Sequence, residues 1–158
     1  LAAALAAFRP LSHRLEPVGE ANGVRWLNDS KATNVSSALV AIEGMTRPTV
    51  LLLGGRHKGE PYTALLPALA QHARAVLAYG EAAPIIAADL EQALREQAPS
   101  VTFVDLRSAS FREVVAHARS LAQSGDVILL SPACSSFDMF RNYEERGRSF
   151  AQLAQEMA

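Results

Sequence analysis

Three short stretches hold the side chains of this chain that could do chemistry. Asn28-Asp29-Ser30-Lys31-Ala32-Thr33-Asn34 sets the cation of Lys31 near the hydroxyl of Thr33, a point charge and a donor that suit a carboxylate or a phosphate. Gly54-Gly55-Arg56-His57-Lys58-Gly59 lets a ligand approach the backbone closely and carries three side chains able to be cationic. It lacks the Gly-Lys-Ser/Thr ending of a phosphate-binding P-loop. Ser131-Pro132-Ala133-Cys134-Ser135-Ser136 adds the hydroxyls of Ser135 and Ser136, with Phe137 and Asp138 behind them. Lys31 and Lys58 on one rim, completed by Ser136, would make a site for an acidic small molecule.

Plainer roles compete for the same residues. Asn, Asp, Ser and Thr are ordinary in turns and helix N-caps, so the first stretch could simply begin a helix and Ser136 or Asp138 could cap another. Loop lysines are commonly just solvated, and a lone cysteine is most often a small buried filler. No His or carboxylate pattern points to Cys134 as a nucleophile. His57 and His72 lack ligand spacing with any carboxylate or Cys, so the chain by itself is expected to hold no metal, and no catalytic acid, base or nucleophile stands out.

The chemistry depends on whether the three stretches meet, and hence on the elements around them. His13 to Val18 and Val24 to Leu27 flank Asn22-Gly23, a dipeptide suited to a tight hairpin, with Trp26 on one face. Val35, Leu39 and Ile42, with Ala38 and Ala41 beside them, predict a half-buried helix that begins just after Thr33 and stops at Gly44. Thr49 to Leu53 is continuously apolar, the profile of a central parallel strand feeding Gly54-Gly55. A helix from Pro61 should bury Leu65, Leu66 and Leu69, and strands are expected at Ala75 to Tyr79 and Val101 to Val104 around a helix over roughly 84–95. Phe111, Val114, Val115, Ala118 and Leu121 stripe a further helix that Ser110 could cap. Val127 to Leu130 reads as another buried strand, and a last helix should bury Phe150, Leu153, Ala154 and Met157. The alternation predicts the α/β class: a Rossmann-like, mostly parallel sheet flanked by helices, with an antiparallel hairpin at its edge. Each chemical stretch then leaves the C-terminal end of a strand, where open α/β sheets bind ligands.

With 158 residues, 49% of them hydrophobic, the chain can bury a sizeable core. A formal net charge of -1 without runs of like charge leaves no footprint for nucleic acid or a membrane surface. The single Cys134 precludes an internal disulfide and suits a reducing, cytoplasmic setting. No apolar run is long enough to span a bilayer. The chain starts at Leu1 rather than Met, and its Ala/Leu-rich helical opening ends at Pro10. Residues 1–12 are therefore expected to close an upstream domain or linker, and residues 13–158 to form one domain of a longer enzyme.

The same stretches carry a resemblance. Gly-Val-Arg-Trp-Leu-Asn-Asp-Ser-Lys-Ala-Thr-Asn from Gly23 to Asn34, Leu-Gly-Gly-x-x-Lys-Gly ending at Gly59, and Leu-Ser-Pro-Ala-Cys-Ser-Ser-Phe-Asp from Leu130 to Asp138 resemble the Mur ligases. Phe140, Tyr143, Glu144, Arg146, Gly147 and Phe150 continue the match, which runs from about His13 to the end and is closest to the members that add D-glutamate. The resemblance implies the C-terminal domain of a three-domain ATP-dependent ligase whose P-loop lies upstream. In such an enzyme the alanyl carboxylate of UDP-N-acetylmuramoyl-L-alanine is phosphorylated, the amine of D-glutamate attacks the acyl phosphate, and a peptide bond forms in peptidoglycan precursor synthesis. On that resemblance Lys31, Thr33, Lys58, Ser136 and Tyr143 would surround D-glutamate, with Phe137 lining the pocket. Arg14 and Asp29 would reach ATP, Asp29 at the ribose, and Mg2+ would be held mainly by the upstream domain. Arg56-His57 departs from the less cationic pair, often with an acidic residue, expected in some relatives, and Tyr143 stands where Phe is frequent. The alternatives are a related Mur or folylpolyglutamate-type ligase domain taking another amino acid, and a stand-alone nucleotide- or anion-binding module.

Overall fold

Asn22 and Gly23 both take positive φ, 54° and 77°, and fold strand β1 (Glu16–Ala21) back on β2 (Val24–Asn28) as an antiparallel hairpin. The computed structural model describes residues 11–158, so the Ala/Leu segment ended by Pro10 lies outside the described residues. β1 starts at Glu16 instead of His13, because His13 and Leu15 adopt φ of 65° and 44°, which an extended strand cannot accommodate.

Asn34 caps helix α1 (Val35–Glu43), its side chain accepting the Ser37 N–H at 2.8 Å. Val35, Ala38, Ala41 and Ile42 are buried there, whereas Leu39 is only partly covered and Val40 is exposed. β3 (Thr49–Gly54) is buried along its whole length. The helix expected from Pro61 begins later. Thr63–Leu65 forms a 3-10 turn, and α2 runs over Leu66–His72 with Pro67 in its first turn, where a missing N–H forfeits no intrahelical bond. β4 (Ala73–Tyr79), α3 (Ala83–Gln97), β5 (Thr102–Leu106), α4 (Phe111–Leu121), β6 (Val127–Leu130) and α5 (Tyr143–Met157) follow. Ser110 and Glu113 close α4 with a reciprocal capping box.

The six strands form one sheet in the order β1-β2-β6-β3-β4-β5, parallel throughout except for the β1 edge. Alternate residues of β3 face opposite ways. Leu51 and Leu53 join α1, α2 and α3 in one core, while Val50 and Leu52 join α4 and α5 in the other. Trp26 of β2 lies in the second core, its ring 5.8 Å from that of Phe150. The Rossmann-like layering expected from the alternation is thus present, with β6 inserted between β2 and β3.

Candidate functional site

The insertion of β6 sets three strand ends side by side, and the loop leaving each is one of the three chemical stretches. After β2 and β3 the chain turns to the α1–α3 face, and after β6 it reaches α5 on the opposite face. Neighbouring strands whose chains leave in opposite directions open a crevice at their C-terminal ends, the usual ligand position in such sheets.

The loops are tied to one another. Ala133 N–H donates to Ala32 O at 2.9 Å, joining the third loop to the first. Arg56 and Ser135 exchange backbone bonds of 2.9 and 3.2 Å, joining the second to the third. That pairing requires a glycine at position 55: its φ is 133°, and a Cβ there would lie 2.2 Å from Ser135 O. Ala133 also takes positive φ, 58°, a strained conformation for a residue with a Cβ.

Beneath the loops lies Arg146, fully buried although charged. Its Nε donates to Ser30 Oγ at 2.9 Å, Nη2 to Ser30 O at 2.8 Å and Nη1 to Cys134 O at 3.1 Å. Ser30 Oγ in turn donates to Tyr143 O at 2.8 Å, so one side chain links the first loop, the third loop and the start of α5. Asn28, at the end of β2, accepts the Ser30 N–H on Oδ1 and donates from Nδ2 to His13 Nδ1 at 2.9 Å.

The candidate residues occupy this edge unequally. Lys31 and Lys58 are exposed, Thr33 and Tyr143 are half-buried, and Phe137 is 60% exposed. Ser136 is only 2% exposed. Ser136 caps no helix: α5 begins at Tyr143 and is capped by Asn142, whose side chain accepts the Glu145 N–H at 2.8 Å. Arg14, Asp29 and Lys31 share a cavity of about 220 Å3 with Leu15, Ser37 and Val40. Asp29 is 5% exposed, with Oδ1 accepting the Leu15 N–H and Oδ2 the Ser131 hydroxyl. Burial raises its pKa in spite of those bonds and of the nearby Arg14 charge. Cys134 is enclosed and its thiol is pushed up to about 11, chiefly by burial, which suits a packing role better than a nucleophile. Among the described residues no group of three His, Cys, Asp or Glu side chains could hold a metal ion.

Residues 13–134 match the family model described as Mur ligase, glutamate ligase domain. The chain belongs to the Mur ligase family. It is 45% identical over 151 residues, 96% of its length, to the UDP-N-acetylmuramoylalanine--D-glutamate ligase of Salinibacter ruber, and it covers 31% of that protein. The enzyme of the same name from Chlamydia caviae is 45% identical over 98% of the chain, which covers 35% of it. The chain therefore spans about a third of the length of these curated Mur ligases. Its fold resembles the crystal structure of a murein peptide ligase from Psychrobacter arcticus, with a TM-score of 0.61 at 18% identity over 98% of this chain and 31% of that one. No helix among the described residues is long and apolar enough to cross a membrane.

Within this Mur ligase domain, reasoning from residue types alone passed over Asn28, Ser131 and the binding together of loops by Arg146. For Arg146 a signal existed. It lies four residues before Phe150 and seven before Leu153, which puts a cation on the buried stripe of the last helix.

Proposed function

We propose that this chain is the amino-acid-binding, C-terminal domain of a longer ATP-dependent ligase that joins D-glutamate to UDP-N-acetylmuramoyl-L-alanine. Residues 13–158 form the domain in this reading, and residues 1–12 lead into it from upstream. The observation that supports it is that the loops bearing Lys31 and Thr33, Lys58, and Ser136 leave neighbouring strands at one sheet edge, the third bonded to each of the other two. D-Glutamate brings two carboxylates, and two ammonium groups with two hydroxyls match them through charge-assisted hydrogen bonds. Phe137 and Tyr143 flank the same edge and offer apolar surface to the methylene carbons.

The reacting amine has to be free of its proton and aimed at an activated acyl group, so these side chains act by holding and orienting. Arg14 and Asp29 are the groups for ATP. Each carboxylate oxygen of Asp29 accepts one internal hydrogen bond and keeps a second lone pair that a ribose hydroxyl can use, while the Arg14 guanidinium suits an anionic group. ATP supplies the phosphoryl group that activates the carboxylate. Mg2+ is held mainly by the upstream domains in this reading.

The test uses the full-length protein, with phosphate release from ATP measured in the presence of UDP-N-acetylmuramoyl-L-alanine. Release should depend on D-glutamate. Lys31→Ala is expected to lower kcat/KM for D-glutamate by about 100-fold, the scale of one lost charge-assisted contact. Its melting temperature should stay within about 2 °C, because the side chain is exposed. Release that follows a different amino acid would move the domain to another ligase of the family, and nucleotide binding without any amino-acid dependence would make it an anion-binding module.

A further inference from the structure

His57 and Tyr62 have no part in the reading above, yet they stand beside it. The half-buried His57 places Nδ1 2.9 Å from the Tyr62 hydroxyl, with the rings 5.4 Å apart, and that hydroxyl lies 3.0 Å from Cys134 Sγ. Tyr62 is a fixed post. It is 1% exposed within the α1–α3 core, and its N–H donates to Asp89 Oδ2 of α3 at 2.8 Å. Cys134 is fixed as well, its carbonyl accepting from Arg146. A line of three side chains thus runs from the second loop into the third, ending one residue from Lys58 and two from Ser136.

The line is complete in either proton arrangement. With the imidazole neutral and protonated on Nε2, the thiol donates to Tyr62 Oη and the phenol donates to Nδ1. With an imidazolium the direction reverses: Nδ1–H donates to Oη, and the phenol donates to Sγ. Backbone pairing between the loops ends at Arg56, so His57 is the tie nearest to Lys58. Gly59 follows at φ 95° with open space where a Cβ would sit, and beyond it Glu60 Oε1 accepts the Val35 N–H at 3.5 Å.

Resting on the proposed D-glutamate reaction, we infer that His57 is a positioning residue for Lys58. Hung on Tyr62, it holds the loop of this cation against the loop of Ser136, so that ammonium and hydroxyl are set for one ligand.

Two substitutions in the full-length enzyme test it. His57→Phe keeps a ring but loses Nδ1, and Tyr62→Phe removes the shared hydroxyl. Each is expected to raise KM for D-glutamate about three- to tenfold, the range for one neutral hydrogen bond, with kcat changed by less than about twofold and KM for ATP unaltered. His57→Asn, whose amide reaches the place of Nδ1, should recover most of the loss, and the double variant should be no worse than the poorer single one. Unchanged KM for D-glutamate, or a uniform loss of kcat and of all KM values, would overturn the inference. If the wild-type enzyme shows no dependence on D-glutamate, the proposed reaction falls on its own. The positioning claim is then decided by the amide resonances of Lys58 and Ser136 in Tyr62→Phe: a joint displacement upholds it, and unmoved signals refute it.

Discussion

Asp29 carries a carboxylate into a nearly closed corner of the cavity, where the Leu15 N–H and the Ser131 hydroxyl each satisfy one oxygen. Because burial outweighs those bonds, its folded pKa lies above the ordinary 3.8. Between those two values the native state holds the proton more tightly than the unfolded chain. The unfolding free energy therefore falls as pH rises from 3.8 through the raised pKa and stays lowered above it. Asp29→Asn keeps an acceptor for Leu15 and removes the charge. It is expected to leave stability at pH 7 equal or greater and to flatten the decline with rising pH, measured by urea denaturation across a pH series. The same change should weaken ATP binding in the full-length protein, the trade expected where a site is built at the expense of the fold. At this scale the sequence was only partly readable. Lys31, Thr33, Lys58 and Ser136 stand out by type and spacing, but nothing local announces that Asp29 turns inward or that His57 finds a tyrosine five residues on.

Arg146 acts on elements. Three neutral acceptors in two loops share its guanidinium, and the fork matches their spread in a way a single ammonium does not. Arg146→Ala is expected to cost about 2–4 kcal/mol in chemical denaturation, since Ser30 and Cys134 lose buried donors, and Arg146→Lys should recover less than half. The elements themselves were legible wherever pattern decides them: β3 and β6 as unbroken apolar runs, the hairpin from Asn22-Gly23, α4 from its stripe and its Ser110 cap. The late start of α2 was not, because Pro61 and Pro67 compete for the same role and tertiary contacts settle which one leads the helix. The distance between Ser136 and the last helix was hidden for a similar reason. Several polar residues there could each cap it, and Asn142 does.

Over the whole molecule the strand order is the property least visible in the sequence, since periodicity marks a strand without naming its neighbours. β6 feeds both cores, Ile128 and Leu130 into one and Leu129 into the other. Removing side-chain volume from either face should therefore loosen the sheet as a unit. Leu129→Ala is expected to cost about 2.5–4 kcal/mol. Unfolding followed by fluorescence of Trp26, which packs in the opposite core, should shift by the same amount as unfolding followed by far-UV circular dichroism. Separate midpoints would mean that the two faces melt independently. The central place of β6 also bears on synthesis. A ribosome delivers β2 and β3 long before the strand that must lie between them, so the nascent chain carries two half-sheets with open inner edges. The crevice cannot form in a translation product that stops short of β6, however early its first two loops are made.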